Sequence, residues 1–395
     1  MTSLRVILFL LLQILNVYSF DFGINLENSF FEIEIDRDHP DKLYKDFEDF
    51  IVKYKRTYKD EIEKKFRFQQ FVQTHNSVQE MNKKSAELGH STKFGHNQFS
   101  DRSKEEITSL YTKVAPEKNP NLPVLTKNNF RVKRQLDNLP KNFDLRDKKI
   151  GGRVVISDIK NQGTCASCWV FAATGLAEVA LSVYHKKTIV SFDLINTLTY
   201  IFQTLSDQEV CDCATKPETT ACMGGQPEDG LEYIKQMGLS VAEKYEYNVT
   251  RANLTGQCAN EKHARELKPN TLGYYKLDEF NAAYLMTRHL YNYNIPVAVA
   301  FRTSYTFNYY EGGVLELPLC DDEEKEHWHS GIIIGYGTEK NETTGKKANF
   351  WIFKNSWDKD WGEEGYGKIV RGEDWCNIES HVKGARIDEH IIPSN

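Results

Sequence analysis

The sequence predicts a chain of mixed helix and strand, and three stretches carry that prediction. Residues 41–110 are charged and helical in pattern. A helix apolar almost all round starts at Cys168 and continues through Trp169-Val170-Phe171-Ala172-Ala173, the mark of a buried helix. Beyond His329, the apolar run Gly331 to Gly337 reads as a strand closed by a turn, and the aromatic-rich Trp351 to Trp357 reads as part of a strand pair.

The N-terminus comes first. Arg5, the apolar stretch Val6 to Val17 and small Ser19 read as a secretory signal over 1–19, too short to span a bilayer. No later segment approaches the roughly 18 uninterrupted apolar residues of a membrane span, so a soluble product in an oxidising compartment is expected. The 395 residues allow roughly two to three domains, and 40% hydrophobic content suffices for a packed core. A net charge of −6 without a basic run argues against nucleic-acid binding. Asn248, Asn253 and Asn341 head N-glycosylation sequons in polar surroundings.

Within the charged segment, Glu63, Arg67, Phe71, Val78 and Asn82 fall at intervals of four, apart from the seven residues between Phe71 and Val78. That places Glu63 over Arg67 on one helix face as an i,i+4 ion pair. From Tyr111 to Pro140 the pattern fades into scattered lysines with Pro116, Pro120 and Pro123, the composition of an extended linker. Arg131-Val132-Lys133-Arg134 within it is either four solvated charges or a processing site for a dibasic-specific convertase.

Cys168 stands where a loop enters the apolar helix, and the positive end of the helix dipole favours thiolate over thiol there. A reactive group on a fixed helix start is a nucleophile candidate. Cys165 and Cys168 also form a C-x-x-C pair, which in other settings is redox-active or metal-binding. His329 at the mouth of a strand has the pKa range for proton transfer, although His327-Trp328-His329 could also suggest a metal. No third ligand cluster is visible, so no metal is expected.

These segments together resemble the papain-like cysteine peptidases. Gln162-Gly163-Thr164-Cys165-Ala166-Ser167-Cys168-Trp169 is similar to the family's active-site motif, with Ala166 where glycine is usual. His329 with its following Gly-Tyr-Gly turn resembles the histidine segment. Asn355-Ser356-Trp357 followed by Trp361-Gly362 resembles the asparagine segment. Glu63 to Asn82 resembles the interrupted helix motif of cathepsin L-like propeptides, with Thr74 and Val78 as departures. Gly95, Asn97, Phe99 and Asp101 match that propeptide's second motif. Leu139-Pro140 and Phe143 to Arg146 resemble the start of a mature cathepsin, with Leu145 in place of tryptophan.

The resemblance implies an α+β, two-lobed fold: a helical lobe carrying Cys168 and a β-barrel-like lobe carrying His329 and Asn355. A small helical propeptide domain precedes it. The implied domains are a propeptide over 20–134, with its inhibitor part about 44–103 laying its tail through the cleft, and a peptidase over 135–395. Cys168 is implied as nucleophile, His329 as proton carrier, Asn355 as its orienting acceptor and Gln162 as an oxyanion donor. Trp357 is implied to cover the His329–Asn355 bond. Gly224 and Gly225 would bind the substrate backbone, and Gln226, Pro227, Ala300, Ser330 and His381 would line the main side-chain pocket, with His381 at its floor. Matching cysteines gives pairs Cys165–Cys222, Cys213–Cys258 and Cys320–Cys376. Cys211 is left over, either buried, reactive or competing with Cys213.

A secreted or lysosomal endopeptidase made as a zymogen follows, with its own propeptide and cystatin-type proteins as inhibitors, no cofactor, and a monomeric state. The proprotein should convert at acid pH as carboxylates such as Asp101 protonate. An exopeptidase or a non-catalytic relative is the alternative. One departure stands out: the interval from Cys168 to His329 exceeds the roughly 130–150 residues usual for the family. The excess sits at Val190 to Gln203, apolar with a single charge at Asp193. It reads either as a surface insertion or as a retained in-frame intron.

Overall fold

A computed structural model of the protein describes residues 40–117, 119–127, 139–150, 153–189, 204–214, 220–255, 257–259, 262–320 and 327–387. The signal segment, the tetrad 131–134 with the start expected near Gln135, and Val190 to Gln203 lie outside the described residues. The chain divides between Lys59 and Asp60 into two compact units.

In the first unit, α1 (Pro40–Lys53) buries Leu43, Phe47 and Phe50, one face at i, i+4 and i+7. Phe47 stacks on Tyr58 at 6.1 Å between ring centroids.

The second unit opens on α2 (Glu61–Glu87), whose first turn is capped by the Asp60 carboxylate accepting from Glu63 N at 2.9 Å. Glu63 does pair with Arg67, at 3.5 Å. The stronger partner of Arg67 is Glu106, bound through two nitrogens at 2.5 and 3.0 Å. Asn82 clamps the main chain of Phe94 in both directions, at 2.8 and 2.9 Å, and so fixes strand β1 (Lys93–Phe94). The short helix α3 (Lys104–Thr108) starts with a reciprocal capping box between Ser103 and Glu106. A two-residue strand, β2 (Val124–Leu125), follows.

Then come β3 (Phe143–Asp144), α4 (Cys168–Ile189), α5 (Asp207–Cys213), α6 (Pro227–Met237), β4 (Leu272–Leu277), α7 (Ala282–Tyr293) and β5 (Val297–Arg302). The chain continues through β6 (Tyr310–Gly312), β7 (Val314–Leu315), β8 (Trp328–Lys340), β9 (Lys347–Lys354), β10 (Tyr366–Val370) and β11 (Val382–Ile387). One nine-stranded sheet runs in the order β2-β4-β11-β5-β8-β9-β10-β7, with β3 also on β8. β1 pairs separately with β6.

Helix α4 packs on α6 on one side and on β8 and β11 on the other. Neighbours on both sides explain why Trp169, Val170, Ala173, Leu176 and Ala177 are all buried, and why the helix reads as apolar all round. The fold is thus α+β, with helices α4 to α6 and the long sheet bringing their functional ends together.

Candidate active site

Cys168 is the first residue of α4 and is fully buried. The loop before it is held by Gln162, whose main-chain N donates to Ser356 O at 2.9 Å. The Gln162 side-chain oxygen accepts from Ser356 Oγ at 2.8 Å and from Trp357 Nε1 at 3.1 Å. Its Nε2 donates to Cys165 O at 2.7 Å and to Leu110 O at 3.1 Å. Tyr247 adds a hydroxyl donated to Gln162 O at 2.8 Å. A disulfide from Cys165 to Cys222 ties the same loop to the segment before α6.

His329 is the second residue of β8, and Asn355 directly follows β9. The antiparallel pairing of these strands, with Ile332 opposite Lys354, brings the two side chains together. His329 Nε2 donates to Asn355 Oδ1 at 2.8 Å, the tautomer being assigned from that acceptor. Trp357 stacks on the imidazole with centroids 4.4 Å apart, and Phe301 presents an edge at 5.7 Å. His329 Nδ1 is buried and has no hydrogen-bond partner.

The segment Leu110–Val114 covers these groups. Thr112 exchanges two main-chain bonds with Trp328, at 3.0 and 2.8 Å, and its Oγ1 accepts from Gly225 N at 3.2 Å. Gln226 Nε2 donates to Val114 O. Tyr111 lies 5.6 Å from the His329 ring and 5.8 Å from Trp357.

This cover decides the charge state. Burial pushes the Cys168 thiol up to about 11, although hydrogen bonds from Ser330, Trp169 and Thr112 work the other way. Burial also pushes His329 down to about 3 against the bond to Asn355. In the closed form the pair is therefore neutral thiol and neutral imidazole. The helix start alone favoured thiolate; desolvation beneath Leu110–Val114 outweighs it here.

The other site residues expected from the sequence lie in two neighbourhoods. Gly224, Gly225 and Gln226 line one hollow with Trp169 and Met223, and Pro227 opens α6 beside it. Gly224 has φ +96, and a Cβ there would lie 2.3 Å from Thr112 Oγ1, so close passage of main chain requires glycine. Ala300 and Ser330 face each other across β5 and β8, and Ala300 N donates to His381 O at 3.2 Å. The His381 ring meets the edge of Trp328 at 5.2 Å and lines a separate hollow with Lys276, Phe280 and Lys383.

Disulfides join Cys165–Cys222, Cys213–Cys258 and Cys320–Cys376. Cys211 is free and buried, and burial raises its thiol pKa well above the ordinary value. Asn248 and Asn253 are exposed, whereas Asn341 is half-buried and donates to Gly89 O at 3.2 Å. Among the described residues no group of three or more His, Cys, Asp or Glu could hold a metal.

The sequence reading missed a buried polar cluster beneath the site. Lys354 Nζ donates to Ser157 Oγ at 2.9 Å, Ser157 to Glu178 at 3.0 Å, and Lys160 bridges Glu178 and Asp207 at 2.6 and 2.9 Å. Two lysines and two carboxylates balance there. The only signal in the sequence was Lys354 itself, a charge at the end of an otherwise apolar strand.

Comparison with known proteins gives the family. Residues 139–385 match the model of the papain family cysteine proteases, and residues 47–107 match the cathepsin propeptide inhibitor domain. The chain belongs to the papain family: it is a cysteine protease, a hydrolase carrying an inhibitory propeptide. Cysteine proteinase 2 of Zea mays is 31% identical over 338 residues, covering 84% of this chain and 81% of that protein. Pro-cathepsin H of Mus musculus is 30% identical over 334 residues, covering 84% and 87%. Among solved structures, digestive procathepsin L2 of Tenebrio molitor superimposes with TM-score 0.69 at 27% identity, over 87% of this chain and all of that one.

Proposed function

We propose that the protein is an endopeptidase of the secretory pathway, lysosomal or extracellular, held inactive by its own propeptide until acid conversion. One observation carries the reading. Gln162 bonds Trp357 and Leu110 O, His329 bonds Asn355, and Cys168 meets Ser330 and Thr112, so Leu110–Val114 lies over these groups.

In this reading, removing the propeptide returns water and substrate to the site, and Cys168 passes its proton to His329. The thiolate attacks the scissile carbonyl. The oxyanion takes hydrogen bonds from Gln162 Nε2 and Cys168 N–H, the former being freed once Leu110 O departs. His329 then protonates the leaving amine and, as base, activates the water that hydrolyses the thioester. Asn355 keeps the imidazole oriented, and Trp357 keeps water from its bond. Substrate main chain would follow Gly224 and Gly225, where Thr112 now lies, with its side chain toward Gln226, Pro227, Ala300 and Ser330. Endopeptidase action is favoured over exopeptidase because the Cys213–Cys222 interval is too short for a loop that blocks one end of the cleft. Occupied sequons at Asn248 and Asn253 and inhibition by cystatin-type proteins belong to the same reading.

The test is active-site titration of acid-treated proprotein with a thiol-directed epoxide, followed by N-terminal sequencing and assay on blocked and unblocked peptides. One reactive site per chain, a new terminus near Gln135 and cleavage of blocked internal peptides are expected. Cys168→Ala should abolish hydrolysis and self-processing; a Cys168→Ala protein that still cleaves would remove Cys168 as nucleophile. Activity confined to free termini would make it an exopeptidase.

A further inference from the structure

Two imidazoles meet in the propeptide, far along the chain from the catalytic histidine. His75 Nδ1 lies 3.2 Å from His96 Nε2, with ring centroids 5.4 Å apart, and Phe71 stacks on His96 at 4.2 Å. His96 Nδ1 is buried without a partner. If His96 Nε2–H donates to His75 Nδ1, the buried Nδ1 is a bare lone pair, which costs little. A proton added there would create a buried N–H with no acceptor, beside a second imidazole competing for charge.

The segment bearing His96 is also what docks the propeptide. Gly95 N donates to Tyr309 O at 2.9 Å, Asn97 Nδ2 to Asn308 O at 2.6 Å, and Gln98 Nε2 to Trp357 O. Phe99 sets its edge on Trp357 at 5.4 Å. Loosening this segment therefore loosens the cover over His329.

We propose that His96, packed against His75 and Phe71, is the acid sensor of the zymogen, releasing the propeptide when its ring takes on a proton; this rests on the zymogen reading above. The charged groups around it are few. From β6, Glu311 lies against Gly95, where an added Cβ would sit 2.8 Å from its carboxylate carbon. From the turn before β6, the Tyr309 hydroxyl accepts from Thr74 Oγ1 at 3.0 Å. Asp101 and Glu106 face Arg67 and Arg102. Of all these charges only that of His75 bears on His96.

The direction follows. Burial first, then the neighbouring His75, lowers His96 from 6.5 to about 4. The closed form prefers the neutral ring, so its stability is full above pH 6.5 and declines as pH falls toward 4. Glu106 behaves otherwise. Burial raises it, but the Arg67 bonds outweigh burial and hold it below its usual value. Its contribution is present above the ordinary carboxylate range and is lost only as pH falls through the lowered value. His96 thus responds before that carboxylate does.

The experiment uses the full chain carrying Cys168→Ala, which cannot process itself, and reads amide hydrogen exchange over residues 93–112, corrected for intrinsic rates. Between pH 6.5 and 4.5 protection should fall by about 40-fold, within the ~300-fold limit set by a shift of this size. Adding His75→Gln and His96→Gln should leave protection at pH 7 intact and reduce the fall to less than about tenfold. Should that variant fail to melt cooperatively at pH 7, His75→Asn alone gives an intermediate fall. An unchanged fall in a folded variant overturns the sensor. No fall in the Cys168→Ala parent overturns the acid-opened zymogen instead.

Discussion

Cys168 shows how one residue's chemistry depends on what covers it. Its thiol at about 11 leaves about one molecule in 10⁴ as thiolate at pH 7. Alkylation of the proprotein by iodoacetamide at pH 7 should therefore be at least ~100-fold slower than that of the processed enzyme. Equal rates would show that the propeptide does not cover the thiol. Gln162 is expected to matter through one atom. Its side-chain oxygen is already engaged by Ser356 and Trp357, leaving Nε2 for the oxyanion once Leu110 moves. Gln162→Ala should cost roughly 10²–10³ in kcat with a small change in KM. At this scale the sequence was informative because the reacting residues keep fixed chemical neighbours along the chain. The charge state was not legible. It depends on Thr112 and Tyr111, more than 50 positions away from Cys168 in sequence.

Elements differ in how much of themselves they announce. The long helix α2 was legible from its four-residue spacing and its Glu63–Arg67 pair, and α4 from its apolar run. Strands β1 and β2 were not, because a two-residue strand has no period of its own and exists only where β6 or β4 offers an edge. Nor was the cluster under the site, where Glu178 of α4 and Lys354 of β9 meet through Ser157. Its members are scattered and mean nothing singly. Burial lowers Lys354 to about 8 even though Glu178 and Asp207 pull the other way. Lys160→Met removes the ammonium that bridges Glu178 and Asp207, leaving two buried carboxylates without their ion-pair partner, and should lower stability by about 3–5 kcal/mol. A thermal melt at pH 6 checks this; a loss below about 1 kcal/mol would mean that the cluster is replaceable.

For the molecule as a whole, the order of cutting and opening can be deduced from the second unit. The basic tetrad 131–134 follows in the chain all the contacts described above for residues 61–125. Upstream of it, Lys276 N and Asp278 N each donate at 3.0 Å, to Pro123 O and Leu125 O, so β2 is a strand of the enzyme's own sheet. Further upstream, Thr112 is paired with Trp328, and β1 with β6. Cutting after Arg134 breaks none of these. It only turns an intramolecular contact into a tight complex of two chains. A proprotein nicked there by a dibasic-specific convertase at pH 7.4 should show almost no sites titratable by a thiol-directed epoxide. Bringing the nicked protein to pH 4.5 should expose close to one site per chain, because acid acts on the docking contacts rather than on the peptide bond. Full titration at pH 7.4 immediately after the nick would show that the covalent link, and not the docked surface, holds the enzyme silent.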